Sequence, residues 1–403
     1  MEAHNQCAKQ CASRMLVVAL ALASFPGSAG AEEPGATPPE AALPREGAPA
    51  PTGAVAGNVF AGYGELTLSS PSNGPGVVDL RRFVLFFGHD YSERIRFYSE
   101  VEVEHAISSA DDRGEVEIEQ AYLDGLLHRK LNLRGGVILM PVGIVNVYHE
   151  PPSFNGVDRP DVDTFVIPST WREPGVGIFG ELAEGLRYQV FFVNGFDANG
   201  FTAESAIREG HQEAQLASSS VFGGVARLDY EPILGTVLGV SAYGGTSRTA
   251  PLPPSIGRVP VGLFEADVRT RRGAFSARAE AAVLFIGDAS ALSQALVASS
   301  SDAGPISSQS RGAYAEVAYD VVALLAPRSS QGLTAFTRFD YADTQADVPA
   351  GFDARREFRR YSEVFGLVYR PIPQVALKAD YRFRQFGDHT NAQEFASAIT
   401  WLF

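Results

Sequence analysis

The sequence predicts an all-β protein, a transmembrane antiparallel β-barrel of 16 strands with a long third external loop. Three observations predict it. From residue 58 onward the chain breaks into strand-like segments of about ten residues. The connections between them alternate short and long. An apolar run near the N-terminus reads as an export signal.

That run is Met15 to Phe25, MLVVALALASF, behind Lys9 and Arg14 and ahead of Ala29-Gly30-Ala31. Its length and flanks suit a secretory signal with cleavage after Ala31, and it is too short to span a bilayer as a helix. Met15 is an alternative start. Residues 1–31 are therefore expected to be a signal peptide and the Pro/Ala-rich residues 32–57 a flexible leader, leaving 58–403 as the barrel. Both cysteines, Cys7 and Cys11, precede the apolar run, so the mature chain has no disulfide, thiolate nucleophile or cysteine metal site.

The 403 residues are 45% hydrophobic and carry a net charge of -14. Removing 1–31 takes away two basic residues and one acidic residue, which brings the charge to -15. Nucleic acid is not expected as a partner, because a phosphate-backbone binder needs a basic footprint. The mean hydropathy of -0.02 excludes a bundle of membrane helices.

The sixteen segments are 58–69, 77–89, 93–105, 115–128, 131–143, 174–183, 185–194, 221–230, 236–244, 261–270, 274–286, 312–323, 332–342, 361–370, 374–384 and 393–403. Several have two distinct faces. Over 374–384, Val375, Leu377, Ala379, Tyr381 and Phe383 oppose Lys378, Asp380, Arg382 and Arg384. Over 93–105, Ile95, Phe97, Val101 and Val103 oppose Arg94, Arg96, Glu100, Glu102 and Glu104. A soluble sandwich also alternates, so the connections carry more weight. Connections at 90–92, 129–130, 184, 231–235, 271–273, 326–328 and 371–373 are short, whereas 144–173, 195–220, 245–260, 287–311 and 343–360 are long. A Greek-key sandwich has no reason to produce that rhythm; a barrel with periplasmic turns and external loops does. An even strand count also closes the sheet without exposed edges, as a membrane requires. The last segment, 394–403, finishes on the aromatic Phe403.

Stretches of the chain resemble the phosphate-selective porins of the OprO/OprP type and related outer-membrane porins. They are GYGEL at 62–66, DLRRFVLFFGHDYSERIRFYSEVEVEHA at 79–106, GEVEIEQAYLD at 114–124, LNLRGGVILMPVGIVNVYHEPPSFNGVDRP at 131–160 and IPSTWREPGVGIFGEL at 167–182. The detailed likeness covers about residues 58–195. It implies a cell outer membrane of the Gram-negative type, contact with outer-membrane lipid, recognition of an aromatic terminus by the barrel assembly machinery, and a homotrimer. It also implies a His-Glu-Pro-Pro segment in the long third loop, matched by His149 to Pro152.

A barrel this wide keeps an aqueous lumen unless a loop narrows it. The segment 144–173 holds Tyr148, Phe154, Phe165, Ile167 and Trp171, an apolar content that a solvated loop would not need, so it is expected to fold inward. Its candidate constriction residues are His149, Glu150, Asp158, Arg159 and Arg172. The candidate pore lining is Arg94, Arg96, Glu100, Glu102, Glu104, Glu117, Glu119, Lys378, Asp380 and Arg382. Glu115, Glu117 and Glu119 share a face, close enough to Glu100, Glu102 and Glu104 to form an acidic patch that must be either solvated or compensated, with Arg134, Lys378, Arg382 and Arg384 as candidate partners. Selectivity follows from such rings. Phosphate selectivity would need a basic constriction, but Arg159 and Arg172 are outnumbered in this segment by Glu150, Asp158, Asp161, Asp163 and Glu173. The expected function is therefore passive diffusion of small polar or ionic solutes, general or mildly cation-favouring.

No enzyme is expected, because there is neither a G-x-S-x-G elbow nor an H-E-x-x-H motif, and two prolines follow His149-Glu150. No cofactor is implied, and the order of Asp158, Asp161 and Asp163 is not that of a calcium loop. The alternative function is a barrel with a plugged lumen whose external loops bind a surface partner.

Overall fold

All sixteen segments form strands in the computed structural model, which describes residues 57–106, 114–248, 256–299 and 304–403. The expected signal peptide and leader, with Cys7 and Cys11, lie outside the described residues. The strands are β1 (Asn58–Pro71), β2 (Val77–Asp90), β3 (Ile95–Glu104), β4 (Val116–His128), β5 (Leu131–Leu139), β6 (Arg172–Ala183), β7 (Leu186–Asn194) and β8 (Phe222–Ile233). They continue as β9 (Thr236–Arg248), β10 (Val259–Arg272), β11 (Phe275–Ile286), β12 (Gln309–Asp320), β13 (Gly332–Asp347), β14 (Arg359–Ile372), β15 (Val375–Phe386) and β16 (Asn391–Leu402). Each pairs antiparallel with its sequence neighbours, and β16 closes on β1, with Tyr63 opposite Leu402 and Pro71 opposite Glu394. A two-residue piece, Phe196–Asp197, adds in parallel beside Ser247 and Arg248.

The alternation expected from the sequence is realised as an outside and an inside. On β9 to β12, Val240, Phe264, Phe285 and Val317 are exposed outward, while Ser241, Glu265, Leu284 and Glu316 are buried inward. Apolar residues on the water-exposed side of a soluble sheet would cost about 25 cal/mol per Å² of area. On a barrel's outer band they meet lipid.

Two boundaries differ from the sequence reading, each for a local reason. The fifth strand stops at Leu139 instead of 143, because Pro141 has no N–H to donate and Gly143 adopts φ +77°. The twelfth strand stops at Asp320, whose carboxylate accepts from the Val322 and Ala323 N–H groups and starts a short helix, Val321–Leu325. The connections 72–76 and 387–390 are short although they lie at the end that carries the long loops.

Two of the register shifts between strands re-aim charged side chains of the inner face near β1 to β4. Between β1 and β2, Glu65 pairs with Arg82 and Leu66 with Leu80, so Arg81 is the extra residue of a bulge. Between β3 and β4, Glu100 pairs with Gln120 and Val101 with Ile118, so Glu119 is extra. A bulge re-aims a side chain locally. In both places two consecutive polar residues, Arg81-Arg82 and Glu119-Gln120, reach partners inside the barrel.

Candidate functional site

Segment 140–171, which joins β5 to β6, lies against the inner wall and is fastened at both ends. Asn146 Nδ2 donates to the carbonyls of Met140 (2.8 Å) and Trp171 (3.1 Å), and its Oδ1 accepts from the Trp171 N–H at 2.7 Å. Gly143 makes the entry turn. Its φ of +77° is left-handed, and a Cβ there would stand 2.6 Å from Glu280 Oε1. The next N–H, of Ile144, donates to Glu280 Oε2 at 3.0 Å.

The segment's apolar side chains, Ile144, Val145, Val162, Val166, Ile167 and Trp171, join one buried cluster with Phe191 and Tyr243 on the wall. The Trp171 ring meets Phe196 at 5.2 Å and Tyr243 at 5.0 Å. Part of the barrel interior is thus an apolar core. The apolar content of the segment has its explanation there.

Its polar groups reach the far wall. Lys378 Nζ donates to the carbonyls of Pro151 (2.5 Å), Phe154 (2.7 Å) and Gly156 (2.9 Å). Asn155 donates to Glu316 (2.9 Å), and the Val157 N–H to Asp380 (2.7 Å). Asp158 pairs with Arg81 at 2.7 Å and Arg382 at 3.0 Å, and Asp161 pairs with Arg384 at 2.6 Å. Arg338 Nη1 donates to the Asp158 carbonyl at 3.2 Å. Burial alone would raise the Asp158 carboxyl, but Arg382 and Arg81 outweigh it and hold the group well below the usual carboxylate range. Asp161 is lowered in the same way, with Arg384 the largest offset to burial. Asp163 goes the other way: burial, with Glu265 adding to it, pushes its carboxyl up to about 7.

Carboxyl groups of β3 and β4 lie beside one another on the inner face. Glu100, Glu102 and Glu119 are buried, with Glu104 and Glu117 half-buried beside them. Arg82 stands 3.1 Å from Glu65 and 3.7 Å from Glu102, and Arg172 pairs with Glu117. Arg134 does not join them; it makes a two-pronged contact with Asp124 at 2.8 and 2.9 Å under the Tyr122 ring. Lys378, Arg382 and Arg384 serve segment 140–171 instead of the patch. Arg94 is exposed in the turn before β3, whereas Arg96 is buried beside Asp90 at 3.2 Å. Glu150 is half-buried, and Arg159 donates to Thr170 Oγ1 at 2.9 Å. His149 is buried with Nε2 3.4 Å from the Glu119 carboxylate. Burial would lower this imidazole, but Glu119 more than reverses that and raises it.

Sequence reasoning missed Asn146, Arg81, Arg82 and Arg338. Nothing in alternation marks a bulged residue, and Asn146 is one polar residue inside an irregular stretch.

Two cavities adjoin. One of about 520 Å³ is bounded by Glu65, Arg82, Glu102 and Glu117 on the wall and by Asp158 and Arg159 on the segment. The other, of about 960 Å³, is lined by Thr202 to Ser205, Phe352, Arg355 and Phe358. Phe165, Arg208 and Glu209 line both.

A closed sixteen-stranded antiparallel barrel with a charged interior is a porin-like barrel. Solved structures with this fold include OmpF of Salmonella typhi in complex with daunomycin (TM-score 0.57, 12% identity, 86% of this chain and 97% of that one). The outer-membrane channel DcaP of Acinetobacter baumannii gives 0.55 at 12% identity over 86% and 97%, and an anion-selective porin from Comamonas acidovorans 0.55 at 9% over 87% and 100%. No protein-family model matches the chain. The chain belongs to the same family as an uncharacterized protein of Aquifex aeolicus (strain VF5), to which it is 33% identical over 350 residues, covering 85% of this chain and 79% of that protein.

Proposed function

We propose that the protein is an outer-membrane porin through which small polar or ionic solutes diffuse, with segment 140–171 narrowing the lumen. The observation that carries this reading is the pair of adjoining cavities inside a closed barrel, one walled by carboxyl and guanidinium side chains and both bordered by Phe165, Arg208 and Glu209. Charged walls suit ions and hydrated solutes and serve no purpose in a dry core. Porin-like neighbours in the outer membrane support the location, which brings outer-membrane lipid and the barrel assembly machinery as partners. OmpT of Vibrio cholerae is described in a trimer form and has the same fold (TM-score 0.51, 9% identity, 87% of this chain and 100% of that one), which supports a homotrimer.

Selectivity should be mild and toward cations. Glu102, Glu104, Glu115 and Glu117 project from β3, β4 and the turn before β4, whereas Asp158 and Asp161 occupy Arg81, Arg382 and Arg384. Arg82 and Arg172 pair in turn with Glu102 and Glu117, but the cavity wall as a whole carries more carboxyl groups than arginines, which tips its field toward negative. The resemblance to phosphate-selective porins implies the opposite sign.

One other reading has a specific observation behind it. The segment touches wall strands from β1 to β15, which favours a lumen held closed and a function residing in the external loops. Single-channel recording of the refolded barrel in a planar bilayer, under a salt gradient, separates the two. Stable steps with a cation-signed reversal potential are expected. A verified folded barrel that gives no steps would transfer the function to the loops.

A further inference from the structure

We infer that Glu100, Glu119 and His149 form a binding site for a divalent transition-metal cation of the Zn²⁺ type, set where segment 140–171 meets the wall. The inference goes beyond solute passage and does not depend on it.

The three side chains come from β3, β4 and the loop. One ligand atom of each lies within 4.8 Å of the other two, and all three residues are buried. His149 Nε2 stands 3.4 Å from Glu119. Two ligands of a tetrahedral ion with bonds of about 2.0–2.1 Å stand roughly 3.3–3.4 Å apart. That edge of the site is already at metal-binding length, and the remaining ones need only side-chain contraction.

The neighbours make a cation a better occupant than nothing. Glu119 Oε1 is fully buried and accepts no hydrogen bond, standing 3.4 Å from His149 Nε2. Tyr63 OH donates to Glu119 Oε2 at 3.2 Å and Gln120 to Glu100 Oε2 at 2.5 Å, the kind of outer contacts that fix the orientation of metal ligands. The Tyr63 ring also abuts the imidazole edge-on at 6.1 Å. Glu119 is the extra residue of the β4 bulge, so the chain departs from regular pairing at the residue the site is centred on. Arg82, on the strand β2 that neighbours β3, is engaged by Glu65 and Glu102.

The donor set argues the class of ion. An imidazole with two carboxylates suits Zn²⁺, Fe²⁺ or Co²⁺ over Ca²⁺ and Mg²⁺, which take oxygen alone.

The test uses the full-length refolded barrel, purified without a polyhistidine tag and checked for folding by heat-shifted gel migration. Calorimetric titration with Zn²⁺ and visible spectra with Co²⁺ are the readouts. One Zn²⁺ per barrel and Co²⁺ d–d bands of low-symmetry nitrogen-oxygen coordination are expected. Glu119→Gln and His149→Gln should each weaken Zn²⁺ tenfold or more and abolish the bands, and Glu184→Gln, an exposed acid in the turn between β6 and β7, should leave both within twofold. Equal weakening by Glu184→Gln, or no saturable Zn²⁺ binding by the folded wild type, overturns the assignment. Should Glu119→Gln fail to fold, His149→Gln alone decides, because it removes no wall residue.

Discussion

Lys378 donates a 2.7 Å hydrogen bond to the Phe154 carbonyl and places its ammonium 4.2 Å over the ring of the same residue. The same ammonium serves the Pro151 and Gly156 carbonyls, so one wall residue holds a whole turn of the segment. Replacing it by methionine keeps the stem and removes every donor. A buried acceptor left without a donor costs roughly 1–3 kcal/mol. Lys378→Met should therefore release this stretch, and single-channel traces should show larger, noisier steps than wild type. Unchanged traces would mean that the turn holds without its donor.

The Asp158 contact should resist acid. Its folded value lies below that of the unfolded carboxylate, so the stability it contributes is complete above the unfolded value of about 3.9 and disappears only as pH falls through the depressed one. Wild-type conductance should hold from neutral pH down to about pH 4 as far as this anchor governs it. Asp158→Asn should disturb it already at neutral pH, which the same recordings would reveal.

Asp163 behaves in the opposite sense. Its carboxylate oxygens are buried without hydrogen-bond partners, and its folded value is raised to about 7. The protonated form is favoured on folding, so stability is greatest in acid and declines as pH rises through that value. Asp163→Asn should raise the unfolding midpoint in urea at alkaline pH, bring little change near pH 4 and flatten the profile between, about the unfolded and folded values.

Gly143→Ala tests the entry turn. A left-handed residue other than glycine costs about 1–2 kcal/mol, and the new Cβ would also press on Glu280, 2.6 Å away. Limited proteolysis of the folded barrel should then cut within 140–171 faster than in wild type. Equal rates would show that Glu280 gives way without cost.

Val240→Arg tests the outer face. Val240 is 52% exposed, in the middle part of β9. An arginine facing lipid near the bilayer midplane costs about 2–4 kcal/mol. Urea unfolding in lipid vesicles should register a loss of that order; a change near zero would place the residue outside the hydrocarbon.

The segments from 58 to 403, their faces and their rhythm of connections were legible in the sequence, because period-two alternation follows directly from strand geometry and a membrane barrel keeps the two faces chemically distinct. The acidic ladder of Glu100, Glu102 and Glu104 on β3 was legible for the same reason, since it is local. Pairings across the lumen were not: Lys378 with Pro151, Arg382 with Asp158 and Arg338 with the Asp158 carbonyl join residues more than 170 positions apart, and no local period encodes such a contact. The bulges at Arg81 and Glu119 were hidden because register depends on two strands at once, and a one-residue slip turns the alternation over. Strand identity and facing thus belong to the chain alone. Which charge meets which, including the meeting of Glu100 and Glu119 with His149, was decided when the barrel closed around segment 140–171, because only closure brings the far wall within hydrogen-bonding distance of the loop.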